Sequence, residues 1–477
     1  MPTRSPRSLA VVVLAAGMGK RLNSSRPKVL HEVVGRPVLW HVLRATAATK
    51  PAKLVVVVHN ARRQVEDAVQ SWNVSPVPVF VEQGKPLGTG HAVLAAEREV
   101  GRVDDVLVVP GDEPLVTGDQ LRALLGIHRR RDVAAVAQTT EPDDARGFAR
   151  VIRDPRGEFV RLAEGSDATR DELAITEVAT AVYAFRREAL YAALPLVGRE
   201  NRQHEYYLPD VLGILRDKGD RVAVQFVDNG GSVGANSQFE MAKAAEVLRR
   251  RINERHMEAG VGMVDPSTTF IGPEVRIGAD TVVHPMTFLE GNTRIGREAE
   301  IGPAVRIVDS TVGDRSTVQF AVVRGSRIAA GVNVGPFASL RPGAELEEGA
   351  KAGTYVEIKN SRVGKGSKVP HLSYVGDADV GSGVNIGAGT VTVNYDGWDK
   401  HRTVIGDDVK IGSDTMLVAP VVVGKGAMTG AGSVITKDVP PGALGIGRSE
   451  QRNVEGFRER QEIRHRKPRR RGPGAKG

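Results

Sequence analysis

From Ile271 onward an aliphatic residue returns at every sixth position, as Ile271, Ile277, Val283, Leu289, Ile295, Ile301 and Ile307. Gly272, Gly278, Gly296 and Gly302 each follow one of them directly. The register slips, then resumes as Ile328, Val334, Leu340 and Leu346, and again as Ile405, Ile411, Leu417 and Val423. A sustained six-residue period marks a parallel β-helix, in which one aliphatic side chain per short strand points into a narrow prism and small residues turn the corners. It also accounts for a glycine count of 54 in 477 residues. Such a coil has little interior, so its ligands must lie on outer faces, between subunits, and cyclic packing of three prisms is the natural closed assembly.

The first half has a different texture. Val11–Leu14, Leu54–Val58, Val106–Val109 and Val133–Val136 are β-branched runs that predict buried strands, and the stretches 38–48 and 64–71 predict helices between them. This alternation implies a mostly parallel sheet with helices on both faces, and ligands on such sheets gather beyond the carboxyl ends of the strands. Ser237 with Glu240 is a capping-box signature, and Met241, Ala245, Leu248 and Ile252 follow at helical spacing to about Met257. We therefore expect a first domain over residues 1–232, a linker helix over 233–260, the β-helix over 261–456 and a basic, disordered tail over 457–477.

Cysteine is absent, which excludes disulfides, Cys-ligated metal and a cysteine nucleophile. No apolar run approaches the roughly 18–20 residues of a membrane helix. The run 9–16, preceded by Arg4 and Arg7, passes straight into Gly17 and Gly19 without a clear cleavage site, so it predicts a first strand and a cytoplasmic protein.

Three segments of the first half carry candidate chemistry. Leu14-Ala15-Ala16-Gly17-Met18-Gly19-Lys20-Arg21 follows a strand, with Lys28 shortly after. Leu14 and Arg21 break the Walker pattern and Leu22 breaks the dinucleotide fingerprint, but the glycines let backbone N–H groups approach an anion and Arg21 and Lys28 supply charge. Gln83 through His91 forms a second glycine loop, and Gly111-Asp112 places an acid just past a buried strand, where a carboxylate can hold Mg²⁺ against a triphosphate.

In the β-helix, polar side chains interrupt the repeat at Arg341, at Glu357 and Lys359, at His371 and Tyr374, and from Asn385 to Lys400. A prism needs only aliphatic and small residues, so these have no structural use. Acyl transfer to an amine needs a base and donors for the developing oxyanion; His371 suits the base, being largely neutral near pH 7, and Glu357 is placed to orient it.

With both halves in view, residues 9–456 resemble the bifunctional N-acetylglucosamine-1-phosphate uridylyltransferase/glucosamine-1-phosphate acetyltransferase family. The resemblance implies an α/β, Rossmann-like nucleotidyltransferase domain followed by a left-handed parallel β-helix of hexapeptide repeats, assembled as a homotrimer. It implies synthesis of UDP-N-acetylglucosamine, a precursor of bacterial cell envelopes, with acetyl-CoA and UTP as co-substrates and Mg²⁺ as cofactor. It further implies that Leu14, Ala15, Ala16, Gly17 and Gly111 contact the nucleotide, that Arg21 and Lys28 contact its phosphates, and that Gln83, Gly88 and Thr89 read the uracil. Asp112 and Asn236 match the metal ligands, and Gly147 and Glu164 match positions at the sugar. In the second half Arg341, Lys359, Tyr374, Asn385 and Lys400 match the sugar-phosphate site, and Ala388, Asn394, Tyr395, Ser413, Ala431 and Arg448 the acetyl-CoA site.

The chain departs from the family where Glu-Ile-Asn-Thr-Gly is usual and Glu177-Val178-Ala179-Thr180-Ala181 stands instead. Lys20 replaces Thr, Ser166 replaces Lys, Ser237-Gln238 replaces Asp-Arg, Thr354 replaces Asn and Pro370 replaces Gly. Loss of the sugar-contacting amide at Ala179 is worth about 1–3 kcal/mol. It motivates a second reading, an acetyltransferase with a weakened or re-specified first domain; a third is a non-catalytic nucleotide sensor or scaffold.

The net charge of +9 suggests a polyanionic partner, yet nine Lys or Arg against Glu459 and Glu462 after residue 457 supply +7 of it. The remaining body carries +2, so its cations are better assigned to small phosphates. The partner of the tail is unknown and the tail is expected to be dispensable.

Overall fold

The computed structural model describes residues 7–17, 19–59, 61–142, 144–228 and 234–466. The chain divides into two compact units, Met1–Arg294 and Ile295–Gly477.

In the first unit the apolar runs form the strands they predict: β1 (Leu9–Leu14), β2 (Lys53–Val58), β3 (Val79–Glu82), β4 (Asp105–Pro110) and β5 (Ala135–Thr140). The last starts two residues later than the Val133 run suggests. Helices α1 (Val38–Ala47), α2 (Arg62–Gln70), α3 (Thr89–Ala95) and α4 (Gly118–Arg130) connect them. A hairpin of β6 (Arg150–Arg153) and β7 (Phe159–Ala163) leads to the long strand β8 (Val178–Arg186), then α5 (Arg187–Ala193), α6 (Asp210–Asp217) and β9 (Val222–Phe226).

The sheet order is β9-β5-β8-β4-β1-β2-β3, and β8 alone on this path runs antiparallel, between β4 and β5. Both faces are covered. Val11 and Val13 pack with Leu39, Leu43, Leu107 and Leu121 on one side, while Ala10 and Val12 pack with Val55, Val93, Val106 and Leu212 on the other. Burial on both faces is why these strands read as unbroken apolar runs.

The linker helix α7 (Gln238–Glu258) begins as expected, with the Ser237 hydroxyl accepting from Glu240 N. The reciprocal half of the box is not made, because the Glu240 carboxylate accepts instead from Asn236 N at 2.7 Å. Met241 and Ala244 are buried against Leu22, Val33, Val38, Leu115 and Ala235, and Asn253 donates to the carbonyls of Pro266 and Thr269. The helix and the first coils therefore count with the first unit.

The hexapeptide half is a parallel β-helix of two- to four-residue strands. All residues of the aliphatic series named above are buried except Ile277, which is half-buried. The slip in the series has a physical origin in coil length. Thr269–Ile271 stacks on Thr287–Leu289 eighteen residues later, but Ile307 stacks on Val323 and Val323 on Leu340, sixteen and seventeen residues apart.

One expectation is corrected. The tail is not disordered from residue 457, since Phe457–Arg466 is helical, with Arg458 paired to Glu462 one turn on. Arg, Glu and Gln lose little rotamer freedom in a helix, so dense charge here coexists with helical order. Residues 467–477 lie outside the described set.

Strand β8 carries a bulge between Ala179 and Tyr183, with Ala181 in the left-handed region at φ 59°. An L-residue there costs roughly 1–2 kcal/mol, partly offset by the chain entropy a glycine would bring. We expect Ala181→Gly to stabilise the first unit by about 0.5–1 kcal/mol, read as a higher urea midpoint.

Candidate functional sites

In the first unit the candidate residues converge on the carboxyl end of the sheet. As β1 ends, Ala15 N bonds to Val57 O and Gly111 N to Leu14 O, both at 2.8 Å. A Cβ on Gly111 would lie 2.9 Å from Leu14 O and 3.2 Å from the Ala15 Cα, so only glycine lets the two strand exits approach this closely.

Lys28, almost buried, directs its ammonium between Asp112 Oδ2 and Asn236 Oδ1. Ala235 N in turn bonds to Asp112 O at 2.9 Å, fixing the segment that carries Asn236. A carboxylate and an amide oxygen separated by over a hundred residues thus converge on a single cation. Gly17 faces open space, and Arg21 is exposed, 4.0 Å from Glu240.

The second loop is tied to the segment before α6. Gln83 is buried and its Nε2 donates to Gly88 O at 2.9 Å. Gly88 is at φ 108°, where a Cβ would meet Tyr206 O at 2.6 Å, and Thr89 Oγ1 accepts from Leu208 N at 3.0 Å.

Gly147 (φ 82°) faces open space, and a Cβ on Gly165 would lie 3.7 Å from its Cα, so Gly147 and Glu164 are neighbours. Ala179 is buried in the core. The Glu164 carboxyl borders a cavity of about 200 Å³ shared with Arg161, Asp167, Asn201, Tyr207 and Asp210. Burial, then the charges of Asp210, Asp167 and Glu205, push it up to about 7. Asp167, Tyr207 and Asp210 escaped the sequence reading; an acid in the first turn of α6 reads as an ordinary helix-start residue.

In the second unit, Glu357 and Tyr374 stand on adjacent rungs of one face, and Arg341 NH1 donates to Glu357 Oε1 at 2.8 Å. His371 lies on a different face, on the rung beside Thr354, with its ring exposed. Glu357 therefore pairs with Arg341 within this chain, where the sequence placed it with His371; a corner of the prism separates the two.

Lys400 lies beside Lys359, whose ammonium holds it below the ordinary lysine value. Asn394 is buried, with Nδ2 3.5 Å from the Tyr374 hydroxyl, while Tyr395 is exposed and its hydroxyl donates to Gly397 O. Asn385 pairs in register with Lys368 and Lys410. Ala388, Ser413 and Ala431 stack along one corner, where Asp414 N bonds to Ala388 O and Gly432 N to Ser413 O. Arg448 is exposed after the last coil. A row of small residues along a corner leaves room for a long ligand laid along the outside of the prism.

Family models match at both ends: a MobA-like NTP transferase domain over residues 11–203 and six bacterial transferase hexapeptide repeats over 402–437. The chain is similar to the "Bifunctional protein GlmU" of Streptomyces avermitilis, 47% identical over 94% of each chain. It is likewise similar to those of Heliobacterium modesticaldum, 46% identical over 94% of this chain and 97% of the relative, and Mycobacterium bovis, 44% identical over 95% and 93%.

The raised Glu164 makes stability depend on pH with a definite sign. Its carboxyl binds a proton more tightly folded than unfolded, so its ionisation destabilises the fold as pH rises from about 4.5 towards 7. Glu164→Gln should leave the thermal midpoint unchanged near pH 4 and raise it at pH 8, measured by calorimetry across that range.

Proposed function

The chain belongs to the bifunctional GlmU family, and on that footing we propose that it makes UDP-N-acetylglucosamine in two steps, acetylating glucosamine 1-phosphate and then joining the product to UMP from UTP. The single observation that carries this reading is that each half holds a polar cluster suited to its step: Lys28 between Asp112 and Asn236 in the first, and Lys359 beside Lys400 in the second, with the exposed His371 on the neighbouring face of the prism. The domains follow as a uridylyltransferase over 1–232, a linker helix over 233–260, an acetyltransferase over 261–456 and a basic tail.

In the acetyltransferase, Arg341, Lys359, Tyr374, Asn385 and Lys400 hold the sugar phosphate, and Ala388, Asn394, Tyr395, Ser413, Ala431 and Arg448 hold acetyl-CoA. The His371 imidazole takes a proton from the amino group as its nitrogen attacks the thioester carbonyl, and the CoA thiolate leaves. The transfer is direct, with no acyl-enzyme.

In the uridylyltransferase, the sugar phosphate oxygen attacks the α-phosphorus of UTP in line and pyrophosphate leaves; the protein supplies position and charge. Leu14–Gly17 and Gly111 line the nucleotide, Gln83, Gly88 and Thr89 read the base, Gly147 and Glu164 receive the sugar, and Arg21 and Lys28 face the phosphates. Asp112 and Asn236 offer the hard oxygen donors that Mg²⁺ takes alongside phosphate and water, and the Lys28 ammonium between them supports the fit. Mg²⁺ bound there supplies neutralisation of the triphosphate charge. UTP and acetyl-CoA as co-substrates support a cytoplasmic location.

A homotrimer is supported by one corner of the β-helix. Phe320, Phe337, Tyr355 and Leu372 stand there on successive coils, all in the left-handed region and all exposed within one chain. Phe337 lies 5.5 Å from Phe320 and 5.2 Å from Tyr355 between ring centroids. Bulky residues held at a strained φ in water gain nothing; covered by a neighbouring copy they bury a continuous apolar ladder.

Two outcomes test the proposal. His371→Ala should abolish CoA release from acetyl-CoA and glucosamine 1-phosphate while sparing pyrophosphate release from UTP and N-acetylglucosamine 1-phosphate; retained CoA release refutes the base. Phe337→Asp should reduce the mass in light scattering from trimer towards monomer and remove CoA release, again with pyrophosphate release retained.

A further inference from the structure

Most corner aspartates of the β-helix are turn formers. Asp280, Asp309, Asp408 and Asp414 sit at positive φ with exposed side chains. Asp377 shares the left-handed backbone, at φ 49°, but is buried. Its main chain is held at both ends, N to Lys359 O at 3.1 Å and O from Thr403 N at 3.2 Å. Its carboxylate turns inward: Oδ1 accepts from Asn360 Nδ2 at 2.6 Å, and Oδ2 accepts from Asn394 Nδ2 and lies 3.7 Å from Lys359 Nζ.

The surrounding charges are otherwise spoken for. Glu357 is paired with Arg341, Asp379 with Arg402 and Asp396 with His401. Tyr374 adds a hydroxyl near Asn394. Asp377 is the carboxylate that faces both Lys359 and Lys400. Burial works to raise its carboxyl, but the two asparagine amides and the two ammonium groups outweigh it and hold it below the ordinary value.

We infer that Asp377 is a positioning residue of the acetyl-transfer site, a buried counter-charge that holds the Lys359 and Lys400 ammonium groups side by side and fixes the Asn394 amide. The inference rests on the acetyltransferase reading above and deepens it. Two ammonium groups in contact repel, and a carboxylate reaching both offsets that repulsion. Asp377 itself touches no substrate in this scheme and acts through the side chains it holds.

The test is Asp377→Asn, which keeps the shape, tolerates the left-handed backbone and removes only the charge. CoA release is followed from pH 6.5 to 10 at varied glucosamine 1-phosphate, with pyrophosphate release from the same preparation as the folding control. The alkaline rise in KM should move about one pH unit lower, because one lysine of the pair then deprotonates earlier, while kcat on the neutral plateau changes only a few-fold. An alkaline limb at the wild-type pH overturns the inference, whatever the loss of rate, since that is the pattern of a merely structural residue. Should Asp377→Asn fail to fold, Lys400→Arg carries the test: a guanidinium stays charged throughout the range, so the limb should move up, and an unmoved limb overturns the inference. Absence of CoA release by the unsubstituted enzyme would instead sink the acetyltransferase reading and leave the charge arrangement standing.

Discussion

The narrowness of the prism governs the second half of the molecule. One aliphatic side chain per two- to four-residue strand fills it, and Ile301, Ile307, Val334, Leu340, Leu346, Leu417 and Val423 are essentially removed from water. At roughly 1.5–3 kcal/mol for each such side chain buried, the stack holds the coils together by repetition. The same constraint leaves no room for an internal pocket. Every polar group with a chemical role has to stand on an outer face or a corner, and each then needs a neighbour to fix it. Arg341 has Glu357, Lys359 and Asn394 have Asp377, and the apolar corner has a second copy of the chain in our reading.

The first half solves the opposite problem. Its sheet is covered on both sides, and only the edge where the parallel strands end is free for ligands. There the backbone itself must come close, which is why glycine is required at 88 and 111 and why Lys28, Asp112 and Asn236, distant in sequence, reach one point. Burial also sets protonation in the cavity beside β7. Glu164 is held near neutrality in its protonation because water is scarce around it and three other acids share its surroundings.

Periodicity made most of this architecture legible. The six-residue repeat announces the prism, and the apolar runs announce the strands within two residues at their starts, because in both cases a side chain's burial is dictated by its position in a regular backbone. The candidate residues around Lys28 were legible as types, a loop cation and an acid after a strand, while their convergence on one point was not, since it depends on a contact across over two hundred residues. Glu240 shows the same limit on a small scale: the spacing predicts a capping box, and a competing amide at Asn236 takes the carboxylate instead. Asp377 was invisible because the sequence cannot tell a corner aspartate that faces water from one that faces inward. The tail misled for a related reason, as like charge argues against a core but not against a helix.

Coil length has one further meaning. Leu346 stacks on Val363 and Val363 on Val380, seventeen residues apart each time, and Ile405 stacks on Val423 after eighteen. Between Val380 and Ile405 the interval is twenty-five, and the surplus is the segment that carries Asn394, Tyr395 and Lys400. The prism thus behaves as a measuring rod whose ticks are whole turns. It can be lengthened or shortened by entire coils without disturbing what lies above or below; the corners absorb one-residue differences between coils of sixteen, seventeen and eighteen, whereas a residue added within a strand would turn its aliphatic tooth outward. New chemistry can enter such a rod only as a loop thrown out between two ticks, and this chain carries Asn394, Tyr395 and Lys400 in the interval where the count runs furthest over.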